Sequence, residues 1–329
     1  MIKYKVYNNK YMDIWNFFVD DSAEATIFHS QKFLGYHIDR DFSNHSLMFY
    51  KNNKLIGLFT ASEVNTKNNE KILFSHPGAS FGGIVLQNYS LSNTLEMISL
   101  IENYGRDNHF NQITLVPTPS IYRTNHDDTL IYALKLKQYN EIERYYSSVI
   151  PIQNNIDMQL QSIYKNKGRT SKYYEMIVSD NNLTIEWSND FEAFYPILVE
   201  NKKKYQCTPT HSLEEIISLN TLMPNHIRLL IIKKDGAVIG GNLIFIANPN
   251  VAIIFYNMID YKYVDLQIAI IQVIESIRWA HSKKFKYIDF GVSHETDDDN
   301  YLSPKMSLIK FKEEFGAFGS TRTVLNKKL

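Results

Sequence analysis

Cysteine is almost absent from this chain of 329 residues, which contains one, Cys207. A single thiol excludes an internal disulfide framework and is typical of a protein that works in a reducing compartment. Because the sequence arranges no base beside it, we interpret Cys207 as an inert, partly buried thiol rather than as a nucleophile.

Long hydrophobic runs are also lacking. No window approaches the roughly 18 consecutive apolar residues that suggest a transmembrane helix. The N-terminal stretch MIKYKVYNNKYMDIW has no continuous apolar core of the kind found in signal peptides. We therefore expect no membrane span and a soluble, cytoplasmic protein.

An excess of charge of either sign is missing as well, because 35 Lys and Arg residues balance 35 Asp and Glu residues. A balanced chain creates no global field that attracts nucleic acid or an anionic membrane, and we predict no DNA partner. Metal chemistry has little support, since HExxH and a cysteine cluster are absent and Asp297, Asp298 and Asp299 lack further ligands at suitable spacing. We predict no metal.

Two common catalytic motifs are absent too. The chain has neither a GxGxxG or Walker-type phosphate loop nor the elbow that carries a hydrolase serine. Group transfer between two bound substrates is the chemistry that remains.

What the sequence does contain is enough apolar material for two folded domains. Apolar residues make up 44% of the chain, and its length exceeds one ordinary core. Hairpin signals at Asn52-Asn53 and at 234–236 each open the same predicted order of strand, helix, strand, helix and strand. We predict a mixed α/β (α+β) fold of two similar domains, 1–152 and 153–329, each with a central mixed sheet flanked by helices.

The most informative stretch is 261–319, which reads as helix, strand, polar loop and helix. Apolar residues recur at helical spacing from Leu266 to Ala280, so this helix is predicted to lie buried against a sheet. The predicted strand that follows, Tyr287 to Phe290, carries Asp289 just before a loop, and in open α/β sheets ligands bind beyond the carboxyl ends of strands. Asp289 is therefore a candidate catalytic residue, although an Asp before Phe-Gly can equally cap a turn.

A loop with three glycines, residues 76–83, follows a predicted strand in the first half. Such density allows a backbone to approach a ligand closely or to adopt positive φ, and a plain connecting loop is the alternative. Residues 1–45 are predicted to be mainly helical.

A second helix, predicted over 156–179, carries four cations between Lys165 and Lys172. These cations can hold substrate phosphates or form a solvated face. Further along, Ser212 and Glu215 form a capping box, which places His211 just outside a helix N-terminus. A neutral His there is suited to act as a base, and a structural role is the alternative.

The segment WAHSKKFKYIDFG, followed by LIKFKEEFGAFG, resembles the C-terminal half of the FemABX-like acyltransferases, a branch of the GNAT superfamily with two tandem domains. The residues that carry the resemblance are Asp289-Phe290-Gly291, Phe311-Lys312 and Phe315-Gly316. The resemblance implies two tandem GNAT-like domains, the first on the acceptor side and the second on the donor side.

The resemblance also implies roles for individual residues. Acceptor binding is expected of His76, Ser80, Phe81, Gly82, Arg169 and Lys172. Donor binding is expected of Glu295, Phe311 and Lys312, and the catalytic candidates are His211, Asp289 and Lys312. The base stays open among His211, His76, Asp289 and Glu295. Helix spacing alone would make Lys312 an ordinary surface lysine, and the resemblance gives it the role of binding phosphate or stabilising an oxyanion.

One departure from ordinary GNAT enzymes concerns the donor. Their Q/R-x-x-G-x-G/A turn, which binds the coenzyme A pyrophosphate, is replaced here by residues 263–268 without glycine. The helix N-terminus that follows can still receive a phosphate, and acyl-CoA, such as acetyl-CoA, stays the expected co-substrate.

We therefore hypothesise an N-acyltransferase that acylates an amino group of a cell-surface glycan precursor, such as a nucleotide-linked amino sugar. An aminoacyl-tRNA-dependent peptidoglycan aminoacyltransferase is the alternative of the same fold. It would need tRNA as a partner, but the helical insertion that some such enzymes use for it is missing. A non-catalytic tandem-GNAT binding protein is the alternative of another class. The oligomeric state is left open.

Overall fold

The computed structural model describes residues 1–38, 40–88, 90–125, 127–204, 206–295 and 300–329, which form two compact units. The segments of the first unit are Met1–Tyr146, Thr296–Ser303 and Ser320–Leu329. Those of the second are Ser147–Glu295 and Pro304–Gly319. The acceptor and donor roles given to residues 1–152 and 153–329 stay predictions.

The first part of the chain forms the strands and helices of the first unit, apart from its last strand, which comes later in the chain. In chain order they are β1 (Ile2–Val6), α1 (Met12–Asp21), α2 (Gln31–Leu34), β2 (Leu47–Lys51), β3 (Lys54–Phe59), β4 (Ser62–Asn65), β5 (Lys71–Ser75), β6 (Ile84–Leu86), α3 (Leu91–Asp107), β7 (Gln112–Leu115), α4 (Thr129–Leu136) and β8 (Asn140–Pro151), whose last residues belong to the second unit. Strands β1, β2, β3 and β6 form an antiparallel sheet. In the other sheet β5 pairs with β4 antiparallel and with β7 parallel.

The second unit contains the remaining elements. They are α5 (Ile156–Asn166), α6 (Ser171–Asp180), β9 (Leu183–Ser188), α7 (Phe191–Lys203), α8 (Leu213–Leu222), β10 (Ile227–Lys234), β11 (Ala237–Asn248), β12 (Val251–Ile259), α9 (Ile268–Ser282), β13 (Tyr287–Val292), α10 (Met306–Glu313) and β14 (Phe318–Lys328), which returns to the first unit. Its sheet has the order β8-β13-β12-β11-β10-β9. Only the β12–β13 pair in it is parallel.

Both predicted hairpins are confirmed. Asn52 and Asn53 connect β2 to β3 with φ of 51° and 61°, and Asp235 and Gly236 connect β10 to β11 with φ of 50° and 83°. Two consecutive residues with positive φ match the twist of the flanking strands, which explains why Asn and Asp-Gly occupy these turns.

The prediction that residues 1–45 are mainly helical is wrong at the start of the chain. Residues 2–6 form β1, whose Ile2 is buried while Lys3 and Lys5 are exposed. That alternation has the two-residue period of a strand, and the pairing of β1 with the distant β2 stabilises it.

The single helix predicted over 156–179 is also wrong, because it is two helices. After α5 the chain reverses through Gly168, whose φ is 62°. The Gly168 N–H donates to Lys165 O, at 2.9 Å, and the Arg169 N–H to Tyr164 O, at 2.9 Å. These two bonds are the Schellman pattern that ends a helix at a glycine, and they place Lys167 and Arg169 in the loop between α5 and α6.

The helix predicted from Leu266 to Ala280 is confirmed as α9, although it begins at Ile268. A short 3-10 turn, Tyr261–Leu266, and the left-handed Gln267 precede it. Ile268, Val273 and Ile277 are completely buried in the core that α9 forms with β10, β11 and β12. None of the helices in the described ranges combines the length and apolarity that crossing a bilayer requires.

Candidate functional site

The Asp289 carboxylate is fixed within β13, at the residue where the parallel pairing of β13 with β12 ends. Its Oδ1 accepts from the Ser147 hydroxyl, at 2.6 Å, and from the Gly291 N–H, at 2.8 Å. Gly291 has a φ of 73°, which allows the chain to fold its N–H back onto the carboxylate two residues earlier. Asp289 is buried, so the carboxylate is both oriented and largely removed from water.

Lys312 lies beside this carboxylate and is 3% exposed. Its Nζ donates to Gly291 O, at 2.9 Å, and to Ser293 Oγ, at 2.8 Å, and it lies 5.2 Å from the centre of the Phe290 ring. The surface position that helix spacing alone suggested for Lys312 is therefore wrong. The Gly291 carbonyl near the end of β13 and the Ser293 hydroxyl just after it are the polar partners that allow α10 to bury an ammonium group.

Burial lowers the pKa of Lys312 to about 8, and the negative charge of Asp289 opposes part of that effect. An ammonium group has three N–H bonds, of which the described residues engage two, through Gly291 and Ser293. A preorganised positive donor of this kind is what a developing oxyanion or a phosphate requires.

The predicted donor residues Glu295 and Phe311 both precede Lys312 in the chain. Glu295 accepts from Lys305 Nζ, at 2.9 Å, in an ion pair that is partly exposed. The Phe311 ring packs against Phe315, with ring centres 5.3 Å apart. Their donor roles stay predictions.

A cleft of about 360 Å³ opens at the N-terminus of α9, and we call it the α9 cleft. Its lining includes Lys167, Arg169, Gln267, Ala269 and Phe311. Lys167 lies 4.4 Å from the centre of the Phe311 ring and forms an ion pair with Glu314. The cleft therefore brings Arg169, predicted for the acceptor, beside Phe311, predicted for the donor.

Charge and backbone direction make the α9 cleft suitable for an anion. The first N–H groups of a helix have no partner inside it, and the aligned peptide dipoles place positive potential there. Arg169 is exposed and adds a full positive charge, while Lys167 is partly neutralised by Glu314. Sequence analysis counted Lys167 among the four cations of this segment but did not single it out, because its place in the cleft depends on the break between α5 and α6.

Strand β12 has two irregularities that sequence analysis also missed. Its parallel pairing with β13 ends at Ile253↔Asp289, although β12 continues to Ile259. On its other side Leu243 is opposite Tyr256 and Ile244 is opposite Ile254, so Phe255 is the extra residue of a bulge. A bulge leaves its extra residue outside the ladder, and its backbone N–H becomes a candidate oxyanion donor.

His211 occupies a buried aromatic environment in the second unit. The predicted capping box is confirmed, with Ser212 and Glu215 each bonded to the backbone of the other. The Nδ1 of His211 and the Tyr256 hydroxyl are 3.0 Å apart, and the Phe255 ring centre lies 5.0 Å from that of His211. Burial raises the pKa of Tyr256 to about 12, so this hydroxyl is neutral near pH 7. The catalytic role of His211 stays a prediction.

Packing within the first unit accounts for two of the three glycines of loop 76–83, Gly78 and Gly82. A Cβ on Gly78 would lie 2.6 Å from His37 Nε2, and one on Gly82 would lie 2.9 Å from Thr60 Oγ1. The Phe81 ring packs against Phe28, with ring centres 4.8 Å apart. Gly82 therefore has a structural reason to be glycine, whether or not it also approaches a ligand.

The two polar residues predicted in this loop differ in exposure. His76 is 2% exposed, and burial, with the nearby His37, lowers its pKa to about 3. Its Nδ1 accepts from the Gly78 N–H, at 3.1 Å. Ser80 is partly exposed, and its carbonyl accepts from Arg322, at 3.4 Å. Their acceptor roles, like those of Phe81 and Gly82, stay predictions.

Two further sequence candidates remain. Lys172 is exposed on α6 and is not among the residues that line the α9 cleft. Asp297, Asp298 and Asp299 lie outside the described residues. Within the described ranges, no three His, Cys, Asp or Glu side chains are grouped so as to hold a metal ion.

Comparisons with known proteins identify the fold. No protein-family model matches the chain, and no curated protein matches it. Solved structures do match over nearly its full length. One is FemX, with 12% identity, a TM-score of 0.74, and coverage of 99% of this chain and 97% of that one.

Two other solved structures are also similar to this chain over nearly its full length. The C-terminal domain of a lysylphosphatidylglycerol synthetase from Agrobacterium fabrum has 9% identity and a TM-score of 0.61, over 98% of this chain and 93% of that one. A tandem GNAT protein from the clavulanic acid biosynthesis pathway has 7% identity and a TM-score of 0.53, over 100% of this chain and 98% of that one. The chain therefore has the fold of these structures, FemX and a tandem GNAT protein among them, as the sequence predicted.

Proposed function

We propose that this protein is an N-acyltransferase that transfers an acyl group to an amino group of a cell-surface glycan precursor, such as a nucleotide-linked amino sugar. The observation that carries the proposal is the buried ammonium of Lys312, held by Gly291 and Ser293 beside the Asp289 carboxylate. A helix surface that served packing alone would not require a buried charge, because an apolar side chain would satisfy it.

The proposed reaction is direct transfer. The acceptor amine attacks the donor carbonyl carbon, the carbonyl electrons move onto its oxygen, and the bond to the leaving sulfur or oxygen breaks as the oxyanion collapses. The amine must lose one proton to a base, for which His211, His76, Asp289 and Glu295 are the candidates. We assign the oxyanion to the ammonium of Lys312 or to the backbone of the Phe255 bulge.

We further propose acyl-CoA, such as acetyl-CoA, as the donor, held through its phosphates in the α9 cleft. The glycine turn of ordinary GNAT enzymes is absent, and Arg169 with the helix N-terminus is suited to replace part of its function. On this proposal Arg169 serves the donor rather than the acceptor.

Aminoacyl transfer is the second candidate function. It is favoured by the extent of the likeness to FemX and by the likeness to a lysylphosphatidylglycerol synthetase, whose name describes an aminoacylated lipid. Under this candidate the α9 cleft would bind the phosphates of an aminoacyl-tRNA. A non-catalytic binding protein is the remaining hypothesis, and the buried Lys312 argues against it.

The test incubates purified protein with acyl-CoAs or aminoacyl-tRNAs as donors and with UDP- or dTDP-amino sugars as acceptors, and detects products by mass spectrometry. An acylated amino sugar formed from acyl-CoA supports the proposal, and a product formed only from aminoacyl-tRNA supports the second candidate. Donor binding without any product would favour the binding protein.

A matched pair of variants on α10 tests the role of the buried Lys312. Lys312→Ala is expected to fold and to lose on the order of 100-fold in rate, because it removes one preorganised charge. Lys310→Ala, at an exposed position of the same helix, is expected to keep the wild-type rate. Wild-type turnover in folded Lys312→Ala would refute the role of Lys312.

A further inference from the structure

A second cleft, of about 570 Å³, lies in the second unit where α9 ends and β13 begins. We call it the basal cleft and define it by Gln153, Asn154, His281, Lys284, Lys286 and Tyr287. Tyr287 begins β13, whereas Gly291, which binds Lys312, lies four residues further along, about 13 Å away in an extended strand. The basal cleft is therefore separate from the Asp289 and Lys312 centre.

The basal cleft is cationic. Lys284 and Lys286 are both exposed, and within the described ranges neither ammonium group has a carboxylate partner. None of the described residues that line the cleft is Asp or Glu. Two like charges two residues apart repel each other, and a bound anion relieves that repulsion.

The backbone that carries these lysines is fixed. Lys284 has a φ of 62° and donates its N–H to His281 O, while the Phe285 N–H donates to Ala280 O, which completes a Schellman motif at the end of α9. The Lys286 N–H donates to Asn250 O, at 2.8 Å. Ligand binding therefore does not need to order this stretch of backbone, which reduces its entropic cost.

The other walls offer a flat ring and two amides. The half-buried Tyr287 ring is held against Phe318, with ring centres 6.0 Å apart at 74°. His281 Nε2 donates to Asn154 O, at 3.1 Å, which fixes one wall. The exposed amide groups of Gln153 and Asn154 offer both donors and acceptors. The cleft volume falls in the range of small-molecule sites.

We propose that the basal cleft binds a free nucleoside diphosphate, with Lys284 and Lys286 on the phosphates and Tyr287 against the base. The combination of two unpaired cations, a ring and amide groups in one cavity matches the diphosphate and the base of such a ligand. This second site does not rest on the proposed acyl transfer.

Isothermal titration of the full chain with UDP, ADP and pyrophosphate tests the proposal. Wild type is expected to bind a nucleoside diphosphate saturably and more tightly than pyrophosphate. Lys284→Gln combined with Lys286→Gln is expected to weaken binding at least about tenfold. Lys283→Gln removes a neighbouring exposed charge outside the lining and is expected to stay within about twofold of wild type.

Four results would overturn the proposal. They are no saturable binding up to about 1 mM nucleotide, an equal loss in Lys283→Gln, pyrophosphate binding as tightly as the nucleotide, and binding of a short RNA without binding of free nucleotide. Tyr287→Leu separates the base contact from charge, because it should weaken the nucleotide and leave pyrophosphate unchanged. Thermal unfolding of each variant verifies that it is folded.

Discussion

At the scale of single residues, the buried ammonium of Lys312 has the clearest consequence. A charge in a dry environment is retained only when polar groups compensate it, and here the Gly291 carbonyl of β13 and the Ser293 hydroxyl just after that strand do so. The same burial moves the titration of Lys312 close to physiological pH.

The pH dependence of the rate follows from this shift. If the protonated form of Lys312 stabilises the oxyanion, activity should fall as pH rises through about 8, the pKa to which burial lowers this lysine. The measurement is kcat/KM between pH 6.5 and 9.5. Lys312→Arg, which stays protonated, should shift that fall to higher pH, and a wild-type profile that is flat through pH 8 would contradict the assignment.

The stability of the protein should report the same group. The pKa of Lys312 is about 8 when folded and near 10.5 when unfolded, so between these values the unfolded chain binds more protons. The contribution of Lys312 to the free energy of unfolding therefore rises with pH in that window, by up to about 1.4 kcal/mol per pH unit. In denaturant unfolding, the free energy of unfolding of wild type should increase relative to that of Lys312→Met from pH 8 to 9.5. A difference between the two proteins that stays constant with pH would contradict the lowered pKa of Lys312.

At the scale of elements, the α9 cleft depends on how α5 ends. The Schellman turn at Gly168 projects the chain between α5 and α6 so that Arg169 reaches the N-terminus of α9. A positive φ of 62° at Gly168 explains why a glycine is required there.

Arg169 and Lys172 separate the two possible uses of this basic segment. Arg169→Gln should raise the KM for the donor about tenfold, because it removes a charge from the α9 cleft, while kcat changes little. Lys172→Gln, on the exposed face of α6, should leave the donor KM unchanged. If both variants raised the acceptor KM and left the donor KM unchanged, Arg169 and Lys172 would instead bind the acceptor.

Locally encoded elements were predictable from sequence, and those fixed by distant partners were not. The hairpin at Asn52-Asn53 and the capping box at Ser212 follow from neighbouring residues alone. Strand β1 depends on pairing with residues 47–51, which its short sequence does not specify.

The same division holds at the candidate site. Asp289 was recognisable from its place at the end of a strand, whereas the burial of Lys312 requires a carbonyl and a hydroxyl from another element. The Phe255 bulge has no local signal, because it arises from the register between β11 and β12.

At the scale of the whole molecule, the order of elements along the chain does not follow the division into two units. Strand β14 comes after all of the second unit, yet it pairs with β7 of the first, from Leu325↔Leu115 to Lys328↔Gln112. Leu325 is part of the hydrophobic core of the first unit, and Lys327 pairs with Glu102.

A fragment of residues 1–152 should therefore be unstable. Without β14 it exposes the edge of β7 and loses Leu325 from its core, and exposed strand edges promote aggregation. Size-exclusion chromatography and circular dichroism should show aggregated or poorly folded material. The same fragment extended by residues 318–329 through a flexible linker should be monomeric and folded, and a stable monomer without the extension would contradict the argument.

The late position of β14 also affects how a ribosome produces the protein. At about 5–20 residues per second, roughly 10 to 30 s separate the synthesis of residue 152 from that of β14. During this interval the nascent first unit has β5 on one side of β7 and an open edge on the other. Folding from the N-terminus therefore cannot complete the first unit, which must wait, exposed to chaperones, for a strand that is translated after the second unit.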